Sequence, residues 1–301
     1  FFYIGGNDSM DTVNKLSAYA KSISSDIRFA GIPKSIDNDL PHTDHTPGYG
    51  SAAKYIAASI AEMAHDVKIY DIPCVTIIEL MGRNAGWLTG AAALARSEYN
   101  ELPQLIYLPE VDFDKDEFIE DVKNELKKSN CVMVAVSEGI HDSDGNYINA
   151  GTSDTFGHDQ LGGAAKTLEL LVKEKLHIKC RSVEINIMQR CAAHMAAGTD
   201  IREAYELGIA GAKYAIEGNT GFIPVLKRIS DEPYRSVIEY ADLKSIANVE
   251  KKVPLEWINK AHNNVTDNML EYVKPLINGE IMLHYKNGLP DHLWQDTKYM
   301  D

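Results

Sequence analysis

Short apolar runs alternate with longer stretches of helical spacing through the first half of the chain. Phe1-Phe2-Tyr3-Ile4 is aromatic and β-branched and stops at Gly5-Gly6. Asn7-Asp8-Ser9, all good helix N-caps, then opens a helical pattern that reaches about Ile23. A second apolar run, Ile27 to Ile32, leads through a polar loop, Pro33 to Thr46, into a helix from about Gly50 to Val67. The third unit has a strand from Cys74 to Leu80, the loop Met81-Gly82-Arg83, and a helix through Gly90 to Leu94. A fourth strand, Gln104 to Leu108, ends at Pro109-Glu110. It precedes a helix from Asp114 to Lys128 whose Phe118, Ile119, Val122 and Leu126 form one apolar stripe. Cys131 to Val136 is a fifth strand, ending at Ser137-Glu138-Gly139. Strands alternating with helices predict an α/β fold, its largely parallel strands covered by helices on both faces.

In such folds ligands gather at the carboxyl ends of the strands. Those ends read Gly-Gly-Asn-Asp-Ser, Pro-Lys-Ser-Ile-Asp-Asn-Asp, Met-Gly-Arg, Pro-Glu and Ser-Glu-Gly. Glycines, carboxylates and cations at all five predict an active site on one rim. The stretch from Asp142 to Gly163 is rich in Gly, Asp, Asn and Ser and predicts a long loop of the kind that often carries function. Past about Arg228 the pattern loses regularity, and the region around Val253-Pro254-Leu255-Glu256-Trp257 reads as an accessory tail. His42-Thr43-Asp44-His45 has the look of metal ligands but predicts substrate-loop or surface residues. Met188 and Met195 predict core.

The formal charge of -14 excludes a general polyanion-binding surface, so any phosphate site must be a local group of cations in an acidic body. Nucleic acid is therefore not an expected partner. No apolar stretch approaches membrane-spanning length, and the opening residues read as a core strand instead of a signal peptide. The four cysteines show neither a C-x-x-C pair nor zinc spacing. Cys74, Cys131 and Cys180 lie beside apolar runs and predict small buried residues in a reducing, cytoplasmic setting.

Taken in order, Gly5-Gly6-Asn7-Asp8-Ser9, Pro33-Lys34-Ser35-Ile36-Asp37-Asn38-Asp39, Met81-Gly82-Arg83, Ser137-Glu138-Gly139 and Met188-Gln189-Arg190 resemble the motif series of the 6-phosphofructokinases. The spacings are close to that family's, and the resemblance covers roughly residues 1 to 225. It implies two Rossmann-like three-layer α/β/α domains with largely parallel sheets, the amino-terminal part of the first being absent. Residues 1–48 with about 189–250 would bind the phosphoryl donor, about 49–188 the sugar phosphate, and about 251–301 would be accessory.

The same resemblance implies the chemistry. Asp37 matches the base that takes the proton of the sugar 1-hydroxyl, and Asp39 a carboxylate that holds Mg²⁺, with Asn7 beside it. Arg83 matches the guanidinium on the transferring phosphoryl group. Ser35, Met81, Gly82, Glu138 and Arg190 would contact fructose 6-phosphate, together with Arg181 contributed by a neighbouring copy in a homo-oligomer of at least two chains. Gly6, Asp8, Ser9 and Lys34 would meet the donor. ATP-using members usually carry glycine at the positions of Asp8 and Lys34. A carboxylate crowding a nucleotide's α-phosphate and a lysine suited to a compact double phosphate imply pyrophosphate as donor. Taken singly, Asp8 also suits an N-cap, Lys34 a solvated loop cation, and Asp37 with Asp39 an Asx turn.

Three departures qualify the match. Asn7 replaces the usual metal-binding aspartate, Ile187 stands where a histidine usually touches the sugar, and Cys74 lies where an intersubunit arginine is usual. Family members also have a strand and glycine-rich loop upstream of Gly5, so these 301 residues alone are expected to have little kinase activity. An ATP-dependent enzyme of the family, a non-catalytic regulatory subunit, and a generic α/β binder of phosphorylated metabolites stay open as alternatives.

Overall fold

The structure, a computed structural model, describes residues 1–148 and 163–291. Its strands and helices begin β1 Phe2–Gly5, α1 Asn7–Ser22, β2 Ala30–Pro33, α2 Tyr49–Val67, β3 Cys74–Leu80 and α3 Trp87–Ala91. They continue β4 Leu105–Tyr107, α4 Lys115–Leu126, β5 Cys131–Ser137, α5 Ala164–Leu176, β6 Lys179–Glu184 and α6 Met188–Cys191. The last are α7 Gly198–Ile216, β7 Phe222–Asp231, β8 Tyr234–Asp242, α8 Leu243–Ile246, α9 Asp267–Val273, β9 Tyr285–Lys286 and β10 Leu289–Pro290. Most of the loop predicted from Asp142 to Gly163 lies outside the described residues.

The long strands form two sheets of four. The first runs β1-β2-β7-β8, parallel except for β8, which pairs antiparallel with β7. The second runs β4-β5-β3-β6 and is parallel throughout. Apolar residues on both faces mark its central strands as buried on both sides, as a parallel sheet requires. Along β3 the period-2 alternation sends Cys74, Ile78 and Leu80 into one core with α2 and α3. Val75 and Ile77 point the other way, into a core with Phe118, Val122, Leu168 and Val172 of α4 and α5. Helices thus cover both faces.

Two readings of the sequence need correcting. The second strand starts at Ala30 because Ile27 is largely exposed and the Phe29 N–H is taken by the Thr220 hydroxyl at 2.9 Å. Met188 is 55% exposed, not core, since α6 turns that side chain outward. In the region read as an accessory tail, Val253, Ile258, Met269, Val273 and Leu276 are buried in the same core as α2 and α3. Among the described residues, no helix is long and apolar enough to cross a membrane.

Candidate active site

The carboxyl ends of β1, β2, β3 and β5 open on one cavity of about 1030 Å³. The chain leaves β1 at Gly5, where a methyl group would meet the Ser9 Oγ at 2.1 Å, and enters α1 with Gly6 as N-cap. Among the described residues no side chain caps this 16-residue helix, so its first N–H groups are placed to meet a ligand. Gly6, Asn7, Asp8 and Ser9 all line the cavity.

Lys34, Ser35, Asp37 and Asp39 line it from the loop after β2. The Ser35 hydroxyl receives the Asp37 N–H at 3.1 Å and stands 3.5 Å from Asp39 Oδ1, which ties the two carboxylates to one turn. Burial raises Asp37 above its ordinary range, against the nearby charges of Lys34, Arg190 and Arg83. Burial, then the charge of Asp37, pushes Asp39 up to about 6. Two carboxylates held in that state form a place where a cation is favoured.

Met81, Gly82, Arg83 and Glu138 come from the loops after β3 and β5. Gly82 has φ 135°, and a methyl there would lie 2.5 Å from the Ala85 carbonyl oxygen, so the tight Met81-Gly82-Arg83 bend needs glycine. Its N–H donates to Glu138 Oε1 at 3.2 Å, and the Ser137 hydroxyl donates to its carbonyl. Glu138 is raised, first by burial, with the Gly82 N–H opposing. Gln189, buried in α6, accepts the Met81 N–H at 3.4 Å, so the helix bearing Arg190 is braced against the same bend. Arg190 is exposed, and its charge acts on both Asp37 and Glu138. Arg181 does not line the cavity. It stands on β6 with Asp66 at 3.1 Å and the Tyr70 hydroxyl at 2.8 Å.

The fourth strand end behaves otherwise than predicted. Glu110 Oε1 accepts the N–H groups of Gly86 at 2.8 Å and Val253 at 2.9 Å, so it braces backbone instead of facing the cavity. Asn7, expected beside a metal, spends both polar atoms on backbone. Its Nδ2 donates to the Val249 carbonyl at 2.7 Å and its Oδ1 accepts the Asn248 N–H at 2.9 Å. These bonds hold a strap, residues 248–252, whose Asn248, Val249, Glu250 and Lys252 complete the cavity wall. Glu250 in turn accepts from Asn84 at 2.7 Å. The strap escaped the sequence reading because it carries no glycine or carboxylate pair at a strand end. His45 was misplaced too: it is 1% exposed, between Asp44 at 2.8 Å and Glu203 at 2.7 Å. Burial opposes its charge, but the two carboxylates raise its pKa on balance.

The donor set suits a hard cation shared with a ligand. Among the described residues no group of three or more His, Cys, Asp or Glu side chains could hold a metal. Asp37 and Asp39 lie on one turn of the cavity wall, and one or two carboxylates completed by phosphate oxygens and water is how Mg²⁺ is commonly bound.

Comparison with known proteins agrees with this geometry. The model of the Phosphofructokinase family matches residues 1–214. A pyrophosphate–fructose 6-phosphate 1-phosphotransferase of Methylococcus capsulatus is 42% identical over 97% of this chain and 70% of its own length. That of Xanthomonas campestris is 43% identical over 97% of this chain and 71% of its own. The crystal structure of a pyrophosphate-dependent phosphofructokinase from Nitrosospira multiformis superposes with a TM-score of 0.88 at 39% identity, covering 97% of this chain and 71% of the other. With two sheets opening on a cavity lined by four of the five motif segments, and a family model matching residues 1–214, this chain belongs to the phosphofructokinase family.

Proposed function

We propose that the chain transfers a phosphoryl group from pyrophosphate to the 1-hydroxyl of fructose 6-phosphate, reversibly, giving fructose 1,6-bisphosphate and orthophosphate. The observation that carries this reading is that Asp8 and Lys34 line the same cavity as Asp37 and Arg83. Lys34 is also the foremost positive charge acting on Asp37. The names of the similar proteins support the same donor and acceptor.

In this reading the sugar hydroxyl oxygen attacks the terminal phosphorus as the bond to the bridging oxygen breaks, and the proton passes to Asp37. The leaving orthophosphate stays near Lys34 and the open N–H groups of α1. Arg83 stabilises charge on the transferring group, Glu138 accepts from hexose hydroxyls, and Arg190 holds the 6-phosphate. Ser35, Met81 and Gly82 shape the sugar side, and Gly6, Asp8 and Ser9 the donor side. Asp39 would hold Mg²⁺, which when bound neutralises donor charge. Arg181, outside its own cavity on β6, fits a role in the site of a second copy, so the working form is a homo-oligomer of at least two chains.

The test compares donors in the complete protein that carries this chain. Turnover with pyrophosphate is expected, with ATP at least 100-fold poorer in kcat/KM. Asp8→Gly with Lys34→Gly should lower kcat/KM for pyrophosphate by roughly tenfold or more. Preference for ATP, or a donor preference unmoved by the double substitution, would overturn the assignment.

A further inference from the structure

Asp37 and Asp39 both line the cavity, whereas Asn38 between them is fully buried with φ 57°. A left-handed backbone costs less at asparagine than at other non-glycine residues, and specific partners still hold it in place. Here those partners are visible. Asn38 Oδ1 accepts the Thr46 N–H at 3.1 Å and the Lys251 ammonium at 3.3 Å, while Nδ2 donates to the Tyr272 Oη at 2.8 Å. Three hydrogen bonds hold that carboxamide, and two of the three partners come from beyond residue 250.

Lys251 closes the loop from several sides. Besides Asn38, its Nζ donates to the carbonyls of Thr43 at 3.2 Å and Asp44 at 2.7 Å, so all three ammonium hydrogens are used. Its backbone N–H donates to the Asp39 carbonyl at 2.7 Å. The Tyr272 hydroxyl donates to the Asp44 carbonyl at 2.6 Å, and Trp87 Nε1 donates to the Lys251 carbonyl at 2.8 Å. None of the three Nζ acceptors is a carboxylate, and the charges of Asp44 and Asp39 favour the ammonium only from a distance. A buried ammonium satisfied by neutral acceptors is a poor choice for stability alone, where an apolar side chain of the same length would cost less. It suits a residue whose task is to fix the shape of a loop.

We propose that Lys251 and Tyr272 are positioning residues of the phosphoryl-transfer site, holding Asn38 so that Asp37 and Asp39 are both aimed at the reacting groups. The roles of those two carboxylates rest on the function proposed above. The carboxyl-terminal part of the chain is on this account a component of the site, although it lies past the residues the family model matches.

The experiment uses Lys251→Met, Lys251→Ala and Tyr272→Phe in the complete protein, after turnover of the parent with pyrophosphate has been measured. Lys251→Met is expected to lower kcat by about 10- to 100-fold. KM for fructose 6-phosphate should stay within about threefold, because Glu138 and Arg190 are untouched. The melting temperature should move by only a few degrees. Tyr272→Phe, which removes one oxygen, should lower kcat by about three- to tenfold. Propylammonium, which replaces the missing atoms of Lys251→Ala, should restore part of its rate. A kcat within twofold of the parent for both Lys251 variants, or a loss that follows the unfolded fraction and is not rescued, overturns the proposal. A crystal structure of Lys251→Met separates this test from that of the donor. Displacement of the Asp37 and Asp39 carboxylates by about 1 Å supports positioning, and carboxylates left in place refute it, whichever donor the parent uses.

Discussion

A methyl group on Gly139 would lie 1.8 Å from the Arg83 carbonyl oxygen and 2.5 Å from its carbonyl carbon. Both are backbone atoms, so nothing can swing aside. The loop after β5 therefore sets the place of the Arg83 backbone through bare contact. Gly139→Ala is expected to lower kcat/KM at least tenfold while the protein stays folded, because the strain falls on a loop and not on a core strand. Steady-state kinetics beside a circular-dichroism melt checks both halves. At this scale the strand-end residues that line the cavity were legible, since glycine, carboxylate and cation recur there in the sequence. What could not be read were residues whose partners are remote. His45 meets Glu203 158 positions away, and Asn7 meets Val249 242 positions away, so neither pairing leaves a local mark.

Among the elements, α5 and β6 are joined by one carboxylate. Glu169 accepts from Lys173 and Lys166 on its own helix and from the Ser182 N–H, at 3.0 Å, and hydroxyl on β6. Burial alone would raise its pKa, but the bonds from Lys173, Ser182 and Lys166 prevail and hold it at about 2, against an ordinary 4.5. A depressed native pKa means that the unfolded chain binds the proton more tightly. The stabilisation is therefore present above pH 4.5 and drains away as pH falls towards 2. Glu169→Gln should cost on the order of 2 kcal/mol at neutral pH, and denaturant titrations should show the gap narrowing below about pH 4.5. Strand and helix order up to β5 followed from periodicity alone. The β7–β8 hairpin did not, because β8 is an edge strand with one solvated face. Exposed Arg235, Val237 and Glu239 alternate there with half-buried Tyr234, Ser236 and Ile238, so neither face is a purely apolar series.

Over the whole molecule, an acidic body of net charge -14 encloses a cavity lined by the cations Lys34, Arg83 and Lys252. The cysteines report on that arrangement. Cys74, Cys131 and Cys180 are buried, and burial pushes Cys74 up to about 11 and Cys180 up to about 12. Cys191 is exposed and follows Arg190 directly. One thiol per chain should react promptly with an aromatic disulfide reagent in the native state and four after denaturation, with fructose 6-phosphate slowing the first. Prompt modification of two or more thiols would contradict the burial, and an unprotected Cys191 would separate it from the sugar site. The pairing of two sheets around one cavity was implied by the motif series, but its closing wall was not, because an irregular segment contributes it.

That wall bears on where the protein can be cut. A gene shortened to the stretch the family pattern recognises, ending at residue 214, would lose both β7 and β8 from the first sheet along with the strap pinned by Asn7 and Asn84. The cleft would stand open down one flank, and the apolar side chains that meet Val253, Met269 and Leu276 would be bared to water. Motif length and foldable length differ here, and the foldable piece extends at least through Leu276.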